Sequence, residues 1–148
     1  MKFSLKGLEK MLSDIDKAAA QVQKAAKSAV YMEAQIVLTE SKKRCPSATG
    51  TLRASGMVEK PVMEGKNIYA EISYGGAASQ YALAVHEHLS VHSPPAWQQA
   101  EAFGNGVQWH TPGTGPKFLE SVINEGKADM RERLARRIQG TLGGKIGF

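Results

Sequence analysis

Three imidazoles and a carboxylate fall within seven residues: His86, Glu87, His88 and His92. Neutral imidazole is a common zinc ligand, so the group has the composition of a metal-dependent hydrolase centred on His86, Glu87 and His92. The spacing does not fit the helical zinc-protease motif, which needs His, Glu, two further residues and His; the last position here is Ser90. The reading without a metal is a polar segment with one histidine in a structural hydrogen bond. The expectation is no bound metal and no cofactor.

Cys45 is the only cysteine. It excludes an intramolecular disulfide framework and any metal site built on several thiolates. A lone cysteine followed by Pro46 at a helix end reads as a small packed side chain rather than a nucleophile, because nothing next to it in the sequence demands a depressed thiol pKa. The chain holds no GxSxG elbow, no dinucleotide fingerprint and no phosphate-cradling loop. Lys127, Arg131, Arg133, Arg136 and Arg137 could line a nucleic-acid contact. Asp129 and Glu132 are interleaved among them at three- and four-residue spacing, which is what a solvated helix face carries.

Those groups must be positioned by a chain of 148 residues, near the usual size of one domain and long enough to bury a core without covalent staples. Hydrophobic residues at 42% and charged residues at 22% exclude wholesale disorder. No apolar run approaches the roughly 20 residues that cross a bilayer, and no signal-peptide segment is visible, so the protein is expected to stay where it is made. The net charge is +5 and unevenly spread. Residues 1–53 carry ten Lys/Arg and five Asp/Glu, residues 54–116 two and five, and residues 117–148 seven and four. Basic ends and an acidic middle suit either nucleic-acid binding or contact between opposite charges across a subunit boundary.

Leu5, Leu8, Leu12, Ile15, Ala19, Val22, Ala26 and Ala29 recur at three- or four-residue steps, and the pattern continues through Val30, Glu33, Ile36 and Val37. This predicts a helix to about Lys43, with a break near Ser13 to Lys17 because of its length. Pro46 disfavours helical geometry at Cys45, so the helix should stop close to Arg44. Residues 47–51 read as a loop with Gly50 at positive φ. Leu52 to Pro61 and Asn67 to Tyr74 then form a hairpin turned by Glu64, Gly65 and Lys66, the second strand alternating as a half-buried strand should. Tyr81 to Val85 is too short to assign between strand and helix. Ser90 to Pro116 holds four of the six prolines and both tryptophans and reads as a long irregular loop, whose Trp97, Phe103 and Trp109 point to a contact site. Phe118, Leu119, Val122, Ile123, Met130, Leu134 and Ile138 predict a last helix to about Gln139, followed by a flexible tail at about 140–148. The expected architecture is one α+β domain, with a long N-terminal and a C-terminal helix packed on a small antiparallel sheet.

Taken in order, Arg44-Cys45-Pro46, the stretch Thr49-Gly50-Thr51-Leu52-Arg53-Ala54-Ser55, the stretch Tyr81-Ala82-Leu83-Ala84-Val85-His86-Glu87, and Lys117-Phe118-Leu119-Glu120 resemble the small tail-component or neck-protein family of long-tailed bacteriophages. The resemblance spans nearly the whole chain. It implies a structural virion protein without enzymatic activity, assembled in the host cytoplasm into a homo-oligomeric ring, a hexamer by family resemblance, at the junction of head and tail. DNA would pass through such a ring without sequence-specific binding, and connector and tail proteins would be its neighbours. On this reading Thr49, Gly50, Leu52, Arg53 and Ser55 form a structural turn: Gly50 permits the reversal, Leu52 anchors it, and Arg53 and Ser55 hydrogen-bond to a loop or a neighbour. Tyr81, His86, Glu87, Trp97, Phe103, Trp109, Phe118 and Leu119 are the candidate subunit or partner contacts.

Overall fold

The computed structural model describes residues 7–46, 50–87 and 113–143. Its first element, α1 (Leu8–Arg44), is one continuous helix about 55 Å long. The break expected at Ser13 to Lys17 is absent. That stretch contains neither Gly nor Pro, and Asp14 and Lys17 face each other one turn apart at 3.7 Å, so nothing in it opposes helix. The helix stops where Pro46 requires: Cys45 is extended at φ −67° and ψ 126°, and its N–H still donates to Ser41 O at 2.8 Å.

Gly50 takes φ 79° and opens a short helix, α2 (Thr51–Ser55). The residues expected to begin the first strand at Leu52 are therefore helical; the left-handed Gly50 turns the chain into a helical step that buries Leu52 before extension starts. The hairpin follows as β1 (Met57–Val58), β2 (Val62–Glu64), β3 (Asn67–Tyr69) and β4 (Ile72–Ser73). It consists of two antiparallel pairs, β1 with β4 (Val58 opposite Ile72) and β2 with β3 (Met63 opposite Ile68). Glu59 N–H still reaches Glu71 O at 2.9 Å, after which Lys60 and Pro61 together face the single residue Ala70. Pro61 has no N–H to give the ladder, and the extra residue kinks it. The turn falls at Gly65 and Lys66, with Gly65 at φ 58°.

A single 3₁₀ turn at Gly76–Ala78 leads into α3 (Ser79–Glu87), which settles Tyr81 to Val85 as helix. The chain re-enters at Gly113, and α4 (Phe118–Leu142) runs past the expected end at Gln139 because Gly140 is carried inside the last turn. Helix α4 lies antiparallel along the C-terminal half of α1, and the strands pack against α1 as well. Ser121 and Glu125 meet Arg44, whereas Arg133 lies a hundred residues from its partner Glu33 in sequence. Trp97, Phe103, Trp109, His88, His92 and Thr49 lie outside the described residues, as does most of the loop expected from Ser90 to Pro116 and the tail beyond Gly143.

Gly56, at the root of the hairpin, is buried where no side chain fits. A Cβ there would stand 2.7 Å from the Tyr74 ring, 2.8 Å from Lys42 Cε and 2.9 Å from Leu38 Cδ1. Gly56→Ala is expected to destabilise the fold by about 1–3 kcal/mol, the usual cost of overpacking. Urea unfolding followed by circular dichroism measures it, and an unchanged midpoint would show that the hairpin root can move away from α1.

Candidate functional site

The four sequence stretches that carry the family resemblance converge in space. Around Phe118, which is 2% exposed, pack Cys45, Leu52, Ala78 and Ala82, with Tyr74, Tyr81, Val85 and Leu119 half-buried at the margin. The Phe118 ring meets Tyr74 at 5.0 Å and His86 at 4.9 Å between centroids, both edge-on at 81° and 80°, the arrangement aromatic quadrupoles favour. Tyr74 Oη shares a 2.8 Å hydrogen bond with Ser41 Oγ, which keeps its polar end satisfied inside the chain.

Polar contacts close the same junction. Arg53 Nη2 donates to Cys45 O at 2.7 Å, and Ser55 Oγ donates to Leu52 O at 2.8 Å while accepting from Gly75 N–H at 3.3 Å. The turn residues thus bond within the chain, to the end of α1 and to the strand exit. Gly115 N–H donates to Arg44 O at 3.0 Å and Lys117 N–H to His86 O at 2.7 Å, so the segment entering α4 is stitched to both α1 and α3. Lys117 occupies the left-handed region at φ 56°, rare for a residue with a side chain. Its ammonium holds Glu87 on one side and Glu120 at 3.0 Å on the other, contacts that fix this backbone.

Those contacts set the electrostatics. Glu87 is held below the usual carboxylate range by hydrogen bonds from Lys117 and from His86 Nδ1 at 2.8 Å, and Lys117 is correspondingly raised by Glu87 and Glu120. Arg44 grips Glu125 with both nitrogens, at 2.8 and 2.6 Å, which lowers that carboxyl too. Burial pushes the Cys45 thiol up to about 11 and the Tyr74 hydroxyl up to about 12. A buried thiol raised in this way suits a packing group. Among the described residues no three His, Cys, Asp or Glu side chains group as metal ligands would, and the Glu87 carboxylate is already engaged by a cation.

Of the candidate contact residues, Phe118 is corrected: it forms the chain's own core and offers no surface. Tyr81 and Leu119 flank that core, and His86 and Glu87 are bonded within the junction. Two features were missed by reading the sequence for chemistry. Glu33 is 3% exposed and is clasped by Arg133, through Nη2 and through Nε at 3.0 and 3.2 Å, with Arg137 Nη1 at 3.8 Å adding charge without a hydrogen bond. The available signal was a carboxylate standing in the apolar repeat of α1. The second is the first half of α1: residues 8–24 are all exposed, so Leu8, Met11, Leu12, Ile15 and Val22 present an apolar stripe with no cover among the described residues.

The sequence of residues 9–83 matches the model of a family described as "Bacteriophage HK97-gp10, putative tail-component". The chain belongs to this HK97-gp10-like family: it is a structural tail component of a bacteriophage, a virion protein whose role is to interact with other virion proteins. The match takes in α1, the Gly50 turn, the hairpin and most of α3. No match was found among curated proteins or among solved structures.

Two outcomes follow from the junction. Because the Glu87 and Glu125 carboxyls are lower in the folded chain than when unfolded, the stability they contribute is present above about pH 4.5 and is lost as the pH falls through their folded values. The melting temperature should fall from pH 5 to pH 3, and Glu87→Gln should flatten part of that fall; an identical profile would show that the Lys117 contact is absent in solution. Cys45 should resist iodoacetamide in the native protein and react once unfolded, which mass spectrometry reads directly.

Proposed function

We propose that this tail component is a non-enzymatic subunit of a homo-oligomeric ring at the neck, joining head to tail. The observation that carries the reading is the division of α1. Its C-terminal half is buried under α4 and the hairpin, while 17 residues at the other end, 8–24, stand clear with an apolar stripe and no partner within the described residues. Among the described residues this amphipathic helical face is exposed over its whole length, and an apolar face of that kind suits completion by another chain. A hexamer, the copy number implied by resemblance, fits a subunit with two different contact faces, since rings arise from heterologous contacts.

The rival classes are weakened by the same side chains. Of the five C-terminal cations that could meet nucleic acid, Arg133 and Arg137 face Glu33 and Arg136 pairs with Glu132 at 3.0 Å, so three of the five already have carboxylate partners. A hydrolase centred on His86 and Glu87 would need a carboxylate free to act, whereas Lys117 occupies this one. DNA would then pass the ring without being read by it, touching at most a basic wall.

A phage carrying a nonsense mutation in this gene should accumulate filled heads and finished tails that remain unjoined, and adding the purified protein should join them. Electron microscopy of the lysate, with antibody labelling of wild-type particles, gives the result. Label along the tail tube or at its far tip would place the protein elsewhere in the virion and overturn the neck assignment.

A further inference from the structure

Helix α4 is anchored to the fold at one end. Its two buried side chains, Phe118 and Val122, lie in the first turns, and none of residues 123–142 is buried. Met130, Leu134 and Ile138 are only half-buried. Because α4 runs antiparallel to α1, the stretch beyond the Glu33–Arg133 pair lies along the part of α1 whose buried residues are Ala25 and Ala29. Alanines close little apolar area, and the stabilisation from burial scales with area.

Polar contacts add one point of attachment. Among the described residues, the hydrogen bonds and ion pairs from 127–142 to the rest of the fold all end on the Glu33 carboxylate, met by Arg133 and by Arg137. Arg137 Nη1 is buried without a hydrogen-bond partner, 3.8 Å from that carboxylate. Separating such a pair returns both charges to water, so the hydration regained offsets most of the attraction lost.

Gly126 stands between the anchored end and this stretch. It lies on the α1 side of the helix, two turns before Arg133, beside a cleft of about 250 Å³ that Val37, Val122 and Arg133 also line. Crowding does not call for a glycine there: a Cβ would meet only Met130 Cε, at 3.5 Å, an ordinary contact. What the glycine does is lower helix propensity where the buried part of α4 ends. The stretch that follows carries a second glycine, Gly140, and is marginal as a helix once it leaves α1.

We propose that α4 beyond Gly126 is a releasable arm, docked on α1 through Glu33 and able to leave it and uncoil while Phe118, Val122 and the Arg44–Glu125 contact stay in place. Docked, the arm covers Ala25, Ala29 and Glu33. Released, it bares them, so the exposed part of α1 lengthens from residues 8–24 to about Glu33. Access to that part of the helix is then set by an equilibrium inside the chain, and the device stands whether or not the protein works at the neck.

Native-state hydrogen exchange of the full chain, read by mass spectrometry in increasing sub-denaturing urea, tests the arm. Amides of residues 131–142 should be about 100-fold or more less protected than those of 35–42, and their exchange should depend only weakly on urea, as a small opening does. Gly126→Ala should raise protection of the arm about fivefold, the difference in helix propensity. Arg133→Ala should lower it about tenfold or more, because the docked state then holds an unpaired Glu33. In both variants residues 35–42 should keep the wild-type protection. Equal protection and equal urea dependence of the two segments in the wild type would make α4 one cooperative unit with α1 and overturn the proposal. So would a substitution that shifts both segments alike, or loss of the whole fold in Arg133→Ala.

Discussion

Burying Phe118 between the rings of Tyr74 and His86 forces the distant parts of the chain to one place. The side chain sits on the first residue of α4, touches the strand exit and α3, and shares its core with Cys45 at the end of α1 and Leu52 in α2. None of those short elements could hold a core alone: α2 has five residues and the strands two or three. The left-handed Lys117 and its two carboxylate contacts aim Phe118 inward, and with the ring in place α4 has one direction available, back along α1.

Along that seam the helices are held in register by a charge rather than by bulk. Glu33 occupies a core position and would be costly there if unpaired, so α4 is fixed where Arg133 and Arg137 reach it. A buried pair of this kind adds little net stability over an apolar substitute, but displacing it by one turn would strand the carboxylate. Arg44 and Glu125 repeat the arrangement at the exposed end of the same seam. The seam then outlasts its partner, and the remainder of α1 is exposed among the described residues.

The uneven charge along the chain invites a reading in which basic ends meet an acidic middle across subunits. Within the fold much of this closes internally. Glu33 and Arg133 join the two basic segments to each other, and Glu87 of the acidic segment is taken by Lys117. Summing charge by segment discards this pairing, because residues a hundred positions apart in sequence can be neighbours in space. Arg53, whose type suggests a partner's carboxylate, instead caps the carbonyl of Cys45.

What the sequence alone determined follows from local rules. The stop of α1 before Pro46, the positive φ of Gly50, the Gly65 turn and the start of the last helix all depend on steric preferences of a few adjacent residues, and so does the apolar repeat of α1. The order of short motifs, though weak singly, was enough to point to the phage tail-component family that residues 9–83 match. Tertiary structure alone decided that the predicted strand from Leu52 begins as a helix and that Phe118 is core. It also decided that Glu33 is buried and that, among the described residues, the repeat of α1 is covered over one half and exposed over the other. Each of these depends on which distant segment packs where, and the apolar repeat reads the same whether α4 lies on it or has already ended.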